Sequence, residues 1–438
     1  MIKFDKERLK MLIEFNFSNF RSFKEEAVFS MEPVSQNGNE YNIINTNMKR
    51  APQLYRSSGI FGANASGKSN IIRAFMYFSF IVKNSSKYIV DDIFPPEFYA
   101  LTDGYDKQPM NFNIKFIVDD ILYDYKFSLL TNVVQNEILY SYNISQTGSN
   151  RAKLVFERHY VDGKMMFRKS TGILQSWCNE VLNNRLLLSD IVNNRKCELT
   201  EIKNVYDFIT KKIVVADVSM LNKGFSLNAI LEGRGEKIIN LVKKADLGLE
   251  NIAVRNVPSE EIINMFTESK KEVPTKIKQA LMAGTAKIFD TKSYHKTENG
   301  ELKEFDFNEM ESEGTEKFLS ITGPVLNAIE SGKILIIDEM DNTLHPYLVK
   351  YIVDLFNNPE INKNNAQLIF ASHAYYLMDG KHLTRDQIWF VDKSITNGFS
   401  SSLYSLSDFK DVLKRKNTSF QEAYMDGVYG AVPNIKDF

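Results

Sequence analysis

The chain has 438 residues, of which 43% are hydrophobic, 25% charged and 12% aromatic, and its formal net charge is −1. This length allows two or three lobes and a large core, and the high aromatic content favours packed strands over disorder. A net charge near zero gives no overall field that would attract nucleic acid or an anionic membrane. A local basic face is still compatible with this charge balance.

The two cysteines, Cys178 and Cys197, do not have the spacing of a metal-binding or redox motif. A reducing cytosol fits them best, with both side chains buried as small hydrophobic groups. The longest strongly apolar stretch, residues 75–82, is too short to cross a bilayer, and the charged N-terminus lacks the apolar core of a secretion signal. We therefore expect a cytoplasmic protein without a membrane segment.

Strand patterns dominate the first third of the chain. Residues 12–23 alternate between apolar and polar side chains, which is typical of a strand with one buried face. Residues 58–61 form a short apolar strand that leads into a loop and an apolar helix. Residues 111–140 alternate again around Asp119 and Asp120, which indicates a hairpin. An antiparallel β lobe is therefore predicted here.

The middle of the chain has a helical pattern instead. Apolar residues recur at helical spacing over residues 174–212 and 227–247. From about residue 284 strands return, with a hairpin around Asn299 and Gly300, and strands then alternate with helices to the end. This order is expected of an α/β fold.

We therefore predict three regions. The N-terminal half of an α/β domain, with its β lobe, occupies residues 1–150, and the C-terminal half occupies residues 284–438. A mainly helical insertion, residues 151–283, separates them. The sequence does not reveal what this insertion does.

The strongest motif is G-A-N-A-S-G-K-S at residues 62–69, which matches the P-loop pattern and lies between a predicted strand and a predicted helix. Its glycines let backbone N–H groups surround phosphate oxygens, and the helix N-terminus adds its dipole. Lys68 is expected to reach the β- and γ-phosphates of ATP, and Ser69 to coordinate Mg²⁺. The alternative is a glycine turn with an incidental lysine. The predicted nucleotide contacts from this segment are Gly62, Asn64, Ser66, Gly67, Lys68, Ser69 and Asn70.

A second motif, K-I-L-I-I-D-E at residues 333–339, predicts a buried parallel strand that ends in two carboxylates. Asp338 is expected to hold Mg²⁺ through water. Glu339 is expected to polarise the attacking water as a general base. Alone this pattern is weak, because many strands end in acidic turns, but it complements the P-loop.

Two further motifs belong to the same set. E-S-E-G-T at residues 311–315 precedes a helix, with Ser312 as its N-cap and Gly314 allowing close backbone approach; the alternative is a simple helix cap. Q-L-I-F-A-S-H at residues 367–373 is an apolar strand followed by His373. A lone histidine is usually a surface or core residue. The order of strands nevertheless predicts that this one lies near the γ-phosphate.

This ordered set of motifs resembles the ABC/SMC/Rad50 class of ATPases. The resemblance implies an α/β P-loop ATPase head of ABC/Rad50 type that binds ATP and Mg²⁺. It also implies that Ser312 and Gly314 contact the γ-phosphate held by a second subunit. Residues 341–344 would be the D-loop, and His373 the switch histidine.

The N-terminal N-F-R-S-F, residues 19–23, is similar to a nucleotide-contacting segment of Rad50 and SMC heads, which makes Arg21 a candidate nucleotide contact. The alternative is an ordinary edge strand with one arginine. Gln135 is a Q-loop candidate by position, although its local pattern does not support that role.

Rad50 and SMC heads end the D-loop in L-D, whereas this chain has L-H-P at residues 344–346, which resembles the OLD-nuclease and abortive-infection branch. The separation between Ser69 and Ser312 is also too short for long coiled-coil arms. Only 65 residues follow His373, and they lack an acidic D-x-D run, so no nuclease domain is expected in this chain. The resemblance covers residues 11–140 and 284–433.

The function implied is that of an ATP-hydrolysing sensor or scaffold in anti-phage, abortive-infection defence. Its implied partners are a second copy in a homodimer or higher even oligomer, a separately encoded effector such as a Toprim-like nuclease, and a phage protein trigger. The alternative is a RecF-like DNA-repair ATPase that clamps DNA, which a steep salt dependence of DNA affinity would support. A transporter ATPase would require a membrane partner, and the N-F-R-S-F start disfavours it.

Overall fold

The computed structural model describes residues 9–34, 40–46, 48–143, 152–170, 172–195, 197–218, 221–245, 248–262, 279–280, 283, 287–393, 398–409 and 419–433. The chain divides into two compact units. The first consists of Met1–Asp217, Ala328–Asp341 and Val349–Phe438, and the second of Val218–Asn327 and Asn342–Leu348.

The strands in chain order are β1 (Lys10–Ser18), β2 (Ala27–Ser30), β3 (Ile43–Asn45), β4 (Gln53–Tyr55), β5 (Ser57–Phe61), β6 (Met110–Val118), β7 (Ile121–Leu130), β8 (Val133–Asn143), β9 (Ala152–Val161), β10 (Lys164–Lys169), β11 (Ile213–Asp217), β12 (Leu249–Asn256), β13 (Phe289–Lys296), β14 (Leu302–Asp306), β15 (Ile334–Asp338), β16 (Gln367–Ala371), β17 (Ile388–Lys393) and β18 (Ser401–Ser405). The α-helices are α1 (Lys68–Asn84), α2 (Gln175–Glu180), α3 (Leu187–Asn194), α4 (Thr200–Asp207), α5 (Gly224–Leu231), α6 (Glu236–Lys244), α7 (Phe307–Met310), α8 (Glu313–Ser331), α9 (Pro346–Asn357) and α10 (Phe420–Met425).

A six-stranded sheet in the first unit has the order β11-β15-β16-β5-β17-β18, in which only β18 is antiparallel to its neighbour. Strands β5, β15 and β16 are buried along their whole length, as expected for strands covered on both faces. Because they run in the same direction, their carboxyl ends meet at one edge, where α/β folds bind ligands. This arrangement confirms the predicted α/β P-loop fold class.

The predicted β lobe is a seven-stranded antiparallel sheet with the order β10-β9-β8-β7-β6-β1-β2. The hairpin between β6 and β7 is confirmed, since Asp119 and Asp120 have φ values of 53° and 65° in a two-residue turn. One face of the sheet packs on α1, where the rings of Phe15 and Phe75 stack with centroids 3.9 Å apart. Burying each such ring contributes about 2 kcal/mol of hydrophobic stabilisation.

The structure divides the chain differently from the three predicted regions. Strands β9 and β10 continue the antiparallel sheet, so the predicted boundary at residue 150 falls within one sheet. Strand β11 pairs in parallel with β15. Residues 151–283 therefore include strands of three different sheets as well as helices, because backbone pairing joins segments that helical periodicity cannot connect. Most of residues 263–286 lie outside the described residues.

The second unit has a three-stranded antiparallel sheet, β12-β13-β14. The turn between β13 and β14 contains Gly300 with φ 81°, which confirms the hairpin predicted there. Helices α5 and α6 both contact β12, and the hydroxyl of Ser226 in α5 donates to the carbonyl of Leu319 in α8. Within the part of the chain that the structure describes, no helix combines the length and the apolar character needed to span a bilayer.

Candidate functional site

The loop at residues 62–67 joins the buried strand β5 to helix α1. Gly62 and Gly67 have φ values of 150° and 119°. A Cβ atom at Gly62 would collide with the carbonyl oxygen of Val391, and one at Gly67 would lie 2.8 Å from the Ser22 hydroxyl. Both positions therefore require glycine, for backbone conformation and for space. The loop has the tight path that the P-loop motif predicted.

Lys68 is buried under this loop. Its ammonium donates to the carbonyl oxygens of Gly62 and Ala63 at 2.8 and 3.0 Å. Burial lowers the pKa of Lys68 to about 8, and the nearby carboxylates of Asp338, Asp341 and Glu339 oppose that change. The Lys68 ammonium therefore lies near the carboxylates at the end of β15 and in the turn that follows it.

His373 completes the environment of Lys68. Its Nε2 lies 3.1 Å from the Lys68 ammonium, so the end of β16 and the start of α1 meet at this contact. That His373 lies near a γ-phosphate stays a prediction. Partial burial lowers the pKa of His373, the Lys68 cation lowers it further, and Asp341 and Glu339 oppose both effects. A neutral ring with its proton on Nδ1 is therefore the form that accepts a hydrogen bond from Lys68.

Asp338 and Ser69 bring the two main motifs together. The Ser69 hydroxyl donates a hydrogen bond to the Asp338 carboxylate, so the start of α1 touches the end of β15. Burial raises the pKa of Asp338. The negative charges of Asp217 and Glu339 raise this pKa further, and the hydrogen bond from Ser69 opposes the increase. Adjacent hydroxyl and carboxylate oxygens are the hard ligands that Mg²⁺ prefers, and a cation there would reverse the rise in pKa.

Glu339 follows Asp338 on an exposed turn with φ 51°, which is uncommon for a residue with a side chain. Its backbone N–H donates to the Asp338 carboxylate at 3.1 Å. The next residue, Met340, donates its N–H to the carbonyl of Ala371 at the end of β16. This turn is thus fixed at both ends, as expected of a strained residue at a functional site.

Asp341 is a site residue whose role the motifs did not predict. Its carboxylate accepts the backbone N–H of His373 at 3.2 Å, which ties the turn after β15 to the turn after β16. The resemblance had assigned Asp341 only to the start of the D-loop. No local sequence signal indicates the contact, because the two residues are 32 positions apart.

The N-F-R-S-F segment contacts the P-loop helix, but not through Arg21. The guanidinium of Arg21 forms a two-pronged ion pair with Glu97, with an Nε to Oε2 distance of 2.7 Å. It is the neighbouring Ser22 that accepts a hydrogen bond from Asn70 of α1 at 2.8 Å. Nucleotide contact by Arg21 stays a prediction, and it would require this ion pair to open or to be shared.

Ser401 of β18 is a second residue that the sequence did not reveal. Its hydroxyl donates to the carbonyl of Ser66 and lies 2.8 Å from the Ser22 hydroxyl, while its N–H donates to the carbonyl of Ser22. Ser22, Ser66 and Ser401 therefore form one hydrogen-bonded seam beside Gly67. Because Ser22 and Ser401 are 379 positions apart, only the folded chain identifies the seam.

We expect Ser401→Ala to weaken ATP binding about tenfold, because it removes the hydrogen bond to Ser66 in the P-loop and the one to Ser22 beside it. Ser402→Ala is the matched control, since Ser402 is the exposed neighbour in the same strand. Isothermal titration of both variants measures the effect, and a melting curve monitors folding. Ser401→Thr should retain most of the affinity, because it keeps the hydroxyl. Wild-type affinity in Ser401→Ala would contradict a positioning role.

Other predicted contacts lie at or near the loop. Asn64 is exposed at its turn, and the Ser66 hydroxyl is buried without a hydrogen-bond partner among the described residues. An orphaned buried hydroxyl in a phosphate-binding loop fits a site that is completed by a ligand.

Gln135 lies in β8 of the antiparallel sheet, and its role as a Q-loop glutamine stays untested.

Ser312 and Gly314 lie in the second unit. The Ser312 hydroxyl accepts the N–H of Thr315 at 3.1 Å, which confirms Ser312 as the N-cap of α8. A Cβ atom at Gly314 would lie 3.4 Å from the nearest atom, the carbonyl oxygen of Thr343, which is ordinary contact distance. Packing within this unit therefore does not require glycine at position 314.

The fold and this site define the chain as a P-loop protein of the α/β class. Residues 231–379 match the family model described as "AAA domain, putative AbiEii toxin, Type IV TA system", which covers about a third of the chain. The chain is also similar to the SMC head domain from Thermotoga maritima, with 13% identity, 90% of this chain and 98% of that one covered, and a TM-score of 0.39. No curated protein matches the sequence.

Proposed function

We propose that this protein binds ATP with Mg²⁺ and hydrolyses it. One observation carries the proposal: the Ser69 hydroxyl, directly after the phosphate-binding loop, contacts the Asp338 carboxylate at the end of β15. Phosphoryl transfer needs a phosphate cradle and a metal carboxylate side by side. The two motifs are more than 260 positions apart in sequence, and they meet at this contact.

The residues present fit a nucleoside triphosphate. The glycine-constrained loop supplies backbone N–H groups, Lys68 supplies a cation, and the unpartnered Ser66 hydroxyl supplies a further hydrogen-bonding group. Ser69 and Asp338 would hold Mg²⁺, which when bound neutralises charge on the phosphates. The carbonyls of Gly62 and Ala63 keep Lys68 at the loop before any phosphate arrives.

The remaining residues have distinct roles in this proposal. Glu339, exposed beside Asp338, accepts a proton from the attacking water and orients it. His373 holds a neutral ring nitrogen at 3.1 Å from Lys68, and Asp341 fixes the His373 backbone. His373 is thus positioned to sense whether Lys68 has moved to a phosphate.

We propose further that the active form is a head-to-tail dimer in which Ser312 and Gly314 of one copy face the ATP of the other. Two features support this. The N-cap Ser312 is exposed, so the N-terminus of α8 is accessible to an anion, and Gly314 is not required by its own unit. A helix N-terminus with an adjacent glycine suits close approach to a γ-phosphate.

As to biological role, we propose a sensor or scaffold in anti-phage, abortive-infection defence that controls a separately encoded effector, such as a Toprim-like nuclease. The match of residues 231–379 to a model named for a putative AbiEii toxin supports this choice. ATP binding would hold one dimer state and hydrolysis would release it, so the nucleotide state would control the effector. DNA affinity with a steep salt dependence would favour a RecF-like clamp instead.

Mixing two inactive variants tests the shared site. Lys68→Ala and Ser312→Arg should each abolish hydrolysis alone. A mixed dimer regains one intact site, with Lys68 from one copy and Ser312 from the other, so an equal mixture should recover about a quarter of wild-type activity. Lys68→Ala mixed with Glu339→Gln is the control. It should recover no activity, because Lys68 and Glu339 of one copy act on the same ATP, so each site of the mixed dimer still lacks one of them.

Turnover of ATP in the two mixtures decides between the models. Recovery in the first mixture alone supports the head-to-tail dimer. Equal activity in both mixtures, or full activity of Ser312→Arg alone, would contradict it, while ATP binding by a single copy would still stand.

A further inference from the structure

Strand β10 forms one edge of the seven-stranded sheet, and among the described residues no strand lies beyond it. It is joined to β9 by the two-residue turn Asp162–Gly163. The φ values of these residues, 48° and 78°, are those of a type I′ hairpin turn. The register between the strands runs without a shift over all six residues of β10.

This turn determines which backbone groups of β10 face outward. Val161 and Lys164, which flank it, exchange both backbone hydrogen bonds, and bonded and non-bonded pairs then alternate. The N–H of Ser170 donates to the carbonyl of Val155 at 2.8 Å, which continues this alternation from Lys164. Even-numbered residues therefore bond to β9. The residues that direct their N–H and C=O groups at the open edge are Met165, Phe167 and Lys169.

Within the described residues, charged side chains are the one common form of protection that this open edge has. In the part of the chain that the structure describes, no hydrogen bond reaches the backbone of these three residues. The strand has no proline and no bulge, although natural edge strands are commonly blocked by such features. A strand of this kind is a template for pairing with another extended segment.

The side chains of β10 indicate what that segment would carry. Lys164, Arg168 and Lys169 give the strand three cations and no carboxylate. Met166 is 60% exposed on the same face as Arg168, and the Arg168 side chain is 73% exposed. The nearest carboxylate on β9, Glu157, is shared between Arg168 and His159. An incoming strand with acidic residues and an apolar residue opposite Met166 would be complementary.

We propose that β10 binds an extended, acidic segment of a partner protein, which adds to the sheet as an eighth strand. The inference does not depend on the proposed ATPase activity. A second copy of β10 fits less well, because two strands with three cations each would repel one another. Backbone pairing would supply affinity, and the cations would select the partner.

The probe is the capped heptapeptide Val-Glu-Val-Val-Val-Glu-Val, which can place its two Glu residues opposite Lys164 and Arg168 and the Val between them opposite Met166. The comparison peptide has Lys in place of both Glu residues. We expect the acidic peptide to bind at least about tenfold more tightly to the full chain, measured by fluorescence anisotropy. Hydrogen exchange should slow at the amides of Met165, Phe167 and Lys169 when it binds. Equal affinity for both peptides would overturn the proposal, as would protection that rises with protein concentration alone.

Two proline variants test which residues of β10 direct their backbone N–H groups at the open edge. Met165→Pro removes an N–H that faces the open edge, so it should leave folding nearly intact and weaken peptide binding at least about tenfold. Met166→Pro removes an N–H that bonds to β9 and should lower the melting temperature much more. If Met165→Pro bound the acidic peptide like the wild type, the edge would not be the binding site.

Discussion

Lys68→Ala is expected to reduce ATP affinity at least about 100-fold, because it removes the one cation buried under the phosphate-binding loop among the described residues. Charge-assisted hydrogen bonds to two phosphates are together worth about 3 kcal/mol, which corresponds to this change in affinity. Isothermal titration with ATP and Mg²⁺ measures it. Lys83→Ala is the matched control, since Lys83 is an exposed lysine in the last turn of the same helix.

The pKa of Lys68 gives the same prediction a second readout. Burial lowers this pKa to about 8, whereas bound phosphates favour the charged form. Below pH 8 the free protein already carries the charged lysine, so ATP affinity should change little with pH. Above pH 8 binding must take up a proton, and affinity should fall by up to about tenfold per pH unit. Unchanged affinity of Lys68→Ala at pH 7 would show that ATP binds elsewhere.

Glu339→Gln is expected to bind ATP within about twofold of the wild type but to hydrolyse it at least about 100-fold more slowly. The amide keeps the size of the side chain and cannot accept the proton of the attacking water. Since binding is retained, the variant should remain in its ATP-bound dimer. Steady-state phosphate release and size-exclusion chromatography with ATP measure the two effects.

The control for this variant is Glu360→Gln, which changes an exposed carboxylate outside the site in the same way. It should leave both turnover and affinity unchanged. If Glu339→Gln hydrolysed ATP at the wild-type rate, the proton acceptor would have to be another group, and His373 would be the next to replace.

The local parts of the site were predictable because each has a chemical signature in consecutive residues. The glycines and lysine of the P-loop, the apolar strand that ends in Asp338 and Glu339, and the N-cap Ser312 all have this property. Their signals arise from backbone conformation and helix capping, which depend on neighbours a few positions apart. The two hairpins that the structure confirms were visible for the same reason.

The long-range contacts were not predictable in this way. The pairing of Arg21 with Glu97, the support of His373 by Asp341 and the Ser22–Ser401 seam each join distant segments. The β lobe was likewise extended by β9 and β10, which the sequence placed in a helical insertion. Strand pairing and side-chain partners depend on which surfaces meet after folding, and periodicity carries no information about that choice.

The amino-acid sequence by itself therefore determined the local motifs of this protein: a P-loop, a buried strand that ends in two carboxylates, and a capped helix with a glycine in its first turn. Only the tertiary structure decided which residues support that chemistry and which strand edge is left open. The physical reason is that catalytic motifs are built from local geometry, whereas positioning contacts and free edges arise when distant strands pair.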